Sequence, residues 1–94
     1  MYLLRIEHPV PNFEDWKATF DRDPINRAAS GVTAFRISRP VDDDRYILVD
    51  LELPTQALAE DVQSKLQALW SQASIVAGLT PKTRILQVSE DGTP

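Results

Sequence analysis

Residues 45–53, RYILVDLEL, alternate so regularly that they admit one conformation. With a side-chain period of two, Ile47, Val49, Leu51 and Leu53 fall on one face of a strand, and Tyr46, Leu48, Asp50 and Glu52 on the other. Pro54 ends the run, because it has no N–H to give to a ladder. The apolar set must be covered by something, and the remaining segments supply the cover.

Residues 2–8, YLLRIEH, are also rich in β-formers and stop at Pro9 and Pro11. Asn12 then offers an N-cap, Asp15 stands three residues on, and Phe13, Trp16 and Phe20 recur at helical spacing, so a helix starts at about Phe13. Asp23-Pro24 should break or kink it before a second helical or turn-like piece runs to Gly31, a plausible C-cap. Residues 32–39 alternate and make a hairpin with 45–53 across the loop PVDDD. Thr55 caps a second helix whose apolar stripe is Leu58, Val62, Leu66, Leu69, Trp70 and Ala73, with Asp61 and Lys65 one turn apart. After a loop through Gly78 and Pro81, residues 83–89 read as a fourth strand.

The order β-α-β-β-α-β is the split βαβ arrangement: an α+β, ferredoxin-like fold with a four-stranded antiparallel sheet and two helices on one face. Ninety-four residues hold one domain, expected over 1–90, with a flexible tail at 91–94. Leu3 and Leu4 cannot both face the helices, and neither can Ile85 and Leu86, so the second sheet face is a mixture of apolar and charged groups. Such a face calls for a partner sheet, most economically a second copy of the chain, and a homodimer is expected.

The net charge of -4, with Lys and Arg scattered among acids, argues against a nucleic-acid partner. The absence of cysteine removes disulfides, thiolate metal sites and Cys nucleophiles, and suits a reducing, cytoplasmic setting. No signal peptide is read at the N-terminus, and the most apolar later stretch, SIVAGL, is too short for a bilayer, so no membrane partner is expected.

The chain resembles the dimeric α+β barrel superfamily, which includes antibiotic biosynthesis monooxygenase-like and polyketide-cyclase-like small proteins. The resemblance runs through YLLRIEHPV, NFEDWKATFD, AASGV, RYILVDLEL, TQALAEDVQSKLQALW and TRILQVS. It is nearest to bacterial members without an assigned activity that carry a histidine late in the first strand and a W-K-x-x-F-D helix, here Trp16, Lys17, Phe20 and Asp21. It implies a cofactor-independent monooxygenase-like or cyclase-like activity on an aromatic or polyketide-like small molecule, or else a non-enzymatic ligand-binding or assembly module. Haem-degrading members use an Asn on the first strand with a Trp and a His elsewhere. Here that strand offers Arg5, Glu7 and His8, Asn12 looks like a helix cap, and no second His exists, so haem degradation is not expected.

His8, the sole histidine, is the candidate catalytic residue, because its reference pKa of about 6.5 suits a general base near neutrality. The bland alternative is a strand-end ring bonded to neighbouring backbone. Arg36, Tyr46 and Asp50 are candidate substrate-binding residues, with Arg5 and Glu7 on the same side if alternation holds. The competing view, that these charges lace a dimer interface, has the edge because charged cross-strand pairs are common on mixed sheets. Trp16 and Trp70 belong to helical stripes and read first as core, with a pocket wall as the second option; Trp16 is carried forward as a substrate-binding candidate. Asp42–Asp44 lack the alternating ligand spacing of a calcium loop and read as a solvated turn. No metal and no cofactor are expected.

Overall fold

In the computed structural model, which describes residues 1–72 and 81–94, strand β3 (Tyr46–Leu53) shows the alternation its sequence dictates. Ile47, Val49, Leu51 and Leu53 are buried, while Tyr46, Leu48, Asp50 and Glu52 are only half-buried. β3 pairs antiparallel with β1 (Tyr2–Pro9) on one side and β2 (Ala34–Ser38) on the other, and β1 pairs antiparallel with β4 (Lys82–Gln87). The sheet order is β2-β3-β1-β4, with α1 (Phe13–Asp21) following β1 and α2 (Gln56–Gln72) following β3.

The register fixes every face. Leu4 lies opposite Leu51 and Ile6 opposite Val49, so the even residues of β1 join the buried face of β3. Leu4, Ile6, Val10, Ile47, Val49, Leu51, Leu53, Ala59 and Val62 form the core; Tyr2, Phe13, Trp16, Phe20, Leu66, Trp70 and Ile85 pack against it. Both helices therefore cover the same sheet face. Burying such side chains contributes roughly 1.5–3 kcal/mol each before chain entropy is set against it.

Both expected caps are formed. The Asp15 N–H donates to Asn12 Oδ1 at 3.0 Å, and the Leu58 N–H to Thr55 Oγ1 at 3.2 Å. Lys65 Nζ pairs with Asp61 at 3.1 Å and also donates to the Ser30 hydroxyl at 3.2 Å, tying α2 to the loop beneath it.

Between Arg22 and Thr33 the chain takes the turn-like of the two expected forms. Asp23 and Asn26 have φ of 53° and 52°, and these left-handed residues cannot continue an α-helix across Pro24. The Asp23 carboxylate accepts the Arg27 N–H at 2.8 Å, and the segment closes at Gly31, whose φ of 97° lets the Val32 N–H reach the Arg27 carbonyl at 3.0 Å. Strand two begins at Ala34 and strand four ends at Gln87, each shorter than the alternation suggested. Ala73 of the expected stripe and Gly78 of the expected loop lie outside the described residues. Among the described residues no helix is long and apolar enough to cross a membrane.

Candidate functional site

His8 lies opposite Ile47 in the β1–β3 ladder, so its ring is on the helix side of the sheet. There it forms part of the wall of a cavity of about 110 Å³ between sheet and helices, with Trp16, Phe20, Ile25, Leu66 and Trp70 as neighbouring walls. The aromatic side of the cavity is supplied by α1. Phe13, Trp16 and Phe20 stack as a tilted series, with centroids 5.9 and 5.3 Å apart, and Phe20 meets Phe35 of β2 edge-on at 5.1 Å.

Among the described residues the imidazole has one backbone partner. His8 Nδ1 lies 2.9 Å from the carbonyl oxygen of Pro9. A carbonyl can only accept, so Nδ1 carries the proton, and in the neutral ring Nε2 holds a lone pair. Burial pushes the His8 pKa below its ordinary 6.5, and the Pro9 carbonyl opposes that shift less strongly. The result is a neutral ring of defined tautomer beside an aromatic cavity. The backbone bond expected of a strand-end ring is formed, through Nδ1.

Arg27 also lines the cavity, and its segment gave no periodic signal to reveal it. Its guanidinium sits 3.9 Å over the Phe20 ring and 5.2 Å from that of Phe35. It donates to the Phe20 carbonyl at 2.9 Å and lies 3.4 Å from Asp23 Oδ1, so its charge is met inside the chain.

The open sheet face has a different character. Arg5 Nε and Nη2 donate to the two carboxylate oxygens of Asp50 at 2.8 and 2.9 Å, a two-pronged bond across the β1–β3 pair. That hydrogen bond, and the charge behind it, raise the Arg5 pKa. The Tyr46 hydroxyl donates to Glu7 Oε1 at 2.8 Å, which raises its pKa and keeps the phenol protonated. Arg36 lies opposite Asp50 and therefore faces the same way. Leu3 and Leu86 are partners in the β1–β4 ladder and, with Leu48, give this face its apolar component.

Of the sequence candidates, His8 and Trp16 come together in the helix-side cavity. Arg36, Tyr46 and Asp50 share the opposite face, so within one chain the sheet separates them from the imidazole. Asp42–Asp44 form an exposed turn in which Asp43 Oδ1 accepts the Arg45 N–H at 3.0 Å. Among the described residues no group of three or more His, Cys, Asp or Glu is placed to hold a metal.

No family model matches the chain, and no curated protein matches it. Solved structures do. A variant of MhuD with two manganese protoporphyrin IX molecules bound per active site is 14% identical, covered over 100% of both chains, with a TM-score of 0.69. A dimeric ferredoxin-like protein from an uncultured marine organism is 12% identical over 97% of both chains, with a TM-score of 0.66. The haem-degrader MhuD from Mycobacterium tuberculosis, with two haems in its active site, is 17% identical over 97% of this chain and 99% of that one, with a TM-score of 0.51. At these identities the likeness is one of fold: the chain has a ferredoxin-like α+β fold.

Proposed function

We propose that the protein is a homodimer that binds a flat aromatic molecule in the helix-side cavity, with His8 as general base in a cofactor-independent, monooxygenase-like or cyclase-like reaction. The observation that carries this reading is the bond from His8 Nδ1 to the Pro9 carbonyl at the wall of an aromatic cavity. It leaves Nε2 as the acceptor for a hydroxyl proton of a phenol or enol. Transfer of that proton gives an imidazolium and a phenolate or enolate. The latter is the electron-rich species that reacts with dioxygen or closes a ring on a carbonyl. Trp16, Phe20 and Trp70 supply stacking surface and exclude water, which strengthens the ion pair as it forms.

Self-association is supported by the open face, where Leu3, Leu48 and Leu86 stand among the paired groups Arg5–Asp50 and Tyr46–Glu7, and by the dimeric neighbour. In this assembly Arg36, Tyr46 and Asp50 serve the interface rather than the ligand. Light scattering at micromolar concentration then returns twice 10.6 kDa, and a mass of 10.6 kDa refutes the dimer.

A non-enzymatic ligand-binding or assembly module remains the alternative, in which His8 only holds a hydroxyl by a hydrogen bond. A thermal-shift screen of phenols, quinones, flavonoids and haem tests the binding. A ligand at a hundredfold its dissociation constant stabilises by about 2.7 kcal/mol. Shifts given by hydroxylated aromatics to the wild type and diminished in His8→Gln support the reading; no shift from any compound defeats it. Consumption of the bound compound in the wild type, abolished in His8→Gln, separates the enzyme from the module.

A further inference from the structure

The cavity is small. An apolar protein cavity of about 150 Å³ holds a single benzene ring, whereas sites for drug-sized ligands run to about 300–1,000 Å³. At about 110 Å³, the space between His8, Trp16, Phe20, Ile25, Leu66 and Trp70 is smaller still, so at most one ring enters it. Its walls are β1, β3, the two helices and the loop that carries Ile25 and Arg27, and the core closes directly behind it: Val49 and Leu51, which also line the space, are 2% exposed. A fused three-ring system has no room there without displacing packed side chains, which costs more than stacking returns.

The polar groups at this wall are equally specific. Arg27 is already satisfied by Asp23 and the Phe20 carbonyl, and its guanidinium is stacked on Phe20, so an anionic group finds no uncommitted cation there. His8 Nδ1 is committed to Pro9. Among the described residues His8 Nε2 has no hydrogen-bond partner, and as the unprotonated nitrogen of the neutral ring it accepts and does not donate.

Resting on the general-base reading of His8, we infer that the ligand is a neutral single-ring phenol or cyclic enol whose hydroxyl donates to His8 Nε2 and whose ring lies among Trp16, Phe20 and Trp70. Fused polycycles and porphyrins are excluded on size, ring compounds without a hydroxyl bind weakly, and benzoate-like anions bind worse still because the cavity would strip their water without pairing the charge.

The test uses the intact protein and the indole N–H resonances of Trp16 and Trp70, the only two tryptophans, both at the cavity wall. Titration with 4-methylphenol is expected to move both resonances saturably, at a dissociation constant about tenfold or more below that of toluene, while 9-phenanthrol at its solubility limit leaves them in place. In His8→Phe the advantage of 4-methylphenol over toluene disappears. Should that variant not fold, the wild-type comparison of the two compounds stands by itself. Binding of 9-phenanthrol as tightly as 4-methylphenol would overturn the single-ring assignment while leaving the ligand-binding role of the cavity intact. Equal binding of 4-methylphenol and toluene to the wild type would overturn the role of Nε2. No movement with any of the three would overturn both this inference and the proposed function.

Discussion

Arg5 and Asp50 grip each other through two hydrogen bonds, at 2.8 and 2.9 Å, on the sheet face opposite α1 and α2. The Arg5 side chain is 42% exposed and that of Asp50 21% in the single chain. In water such a pair is worth about 0.2–1 kcal/mol. Covered by a partner sheet, it becomes a pair whose disruption leaves a buried charge uncompensated, at a cost of roughly 3–5 kcal/mol. Asp50→Asn should therefore weaken the dimer at least about a hundredfold while changing the stability of the single chain little. Sedimentation across a concentration series reads this directly, and an unaltered dimer would place the interface elsewhere.

Much of this fold is legible in the chain because single residues settle it. The alternation of residues 46–53 fixes both faces of β3, and Pro9, Asn12, Pro54 and Thr55 mark where strands hand over to helices. The face of His8 is only half legible: Ile6 between Arg5 and Glu7 gives it the parity of the buried side, but Leu3 is as apolar as Leu4 and blurs the pattern, and the pairing with Ile47 settles it. Arg27 is illegible for a different reason: it follows the left-handed residues Asp23 and Asn26, in a segment with no period to assign it a face. That same register divides His8 from Arg36, Tyr46 and Asp50, which sequence proximity of chemistry had grouped together.

His8 gives stability a specific dependence on pH. Its folded pKa lies below the ordinary 6.5 because burial disfavours the charged ring, so below that value the unfolded chain binds a proton more readily than the folded one. The contribution of His8 is thus fully present above pH about 6.5 and is lost as pH falls through the folded pKa. Carboxylates titrate in the lower part of this window too, so the useful quantity is the difference between proteins. Between pH 7.5 and 5 the wild type should lose more melting temperature than His8→Gln, which keeps an amide at this position without the titration. An equal loss in both proteins would contradict the burial of the ring.

Gly31 holds the end of the loop that carries Arg27. Its φ of 97° disfavours any side chain, and a Cβ there would sit 3.0 Å from Leu58 Cδ1 of α2. Gly31→Ala should destabilise by about 1–3 kcal/mol, most of it backbone strain, since the tip of Leu58 can move. Chemical denaturation gives the figure, and a neutral result would mean that the loop adopts another conformation.

The state of the one imidazole is the crux, and because the chain has a single histidine its nitrogen resonances need no assignment. Long-range proton–nitrogen NMR across pH 4–9, with and without 4-methylphenol, reads tautomer, pKa and contact in one experiment. The account predicts a neutral ring protonated on Nδ1, a pKa below 6.5, and a shift of Nε2 when the phenol is added. A ring protonated on Nε2, or an Nε2 resonance indifferent to saturating phenol, would contradict it.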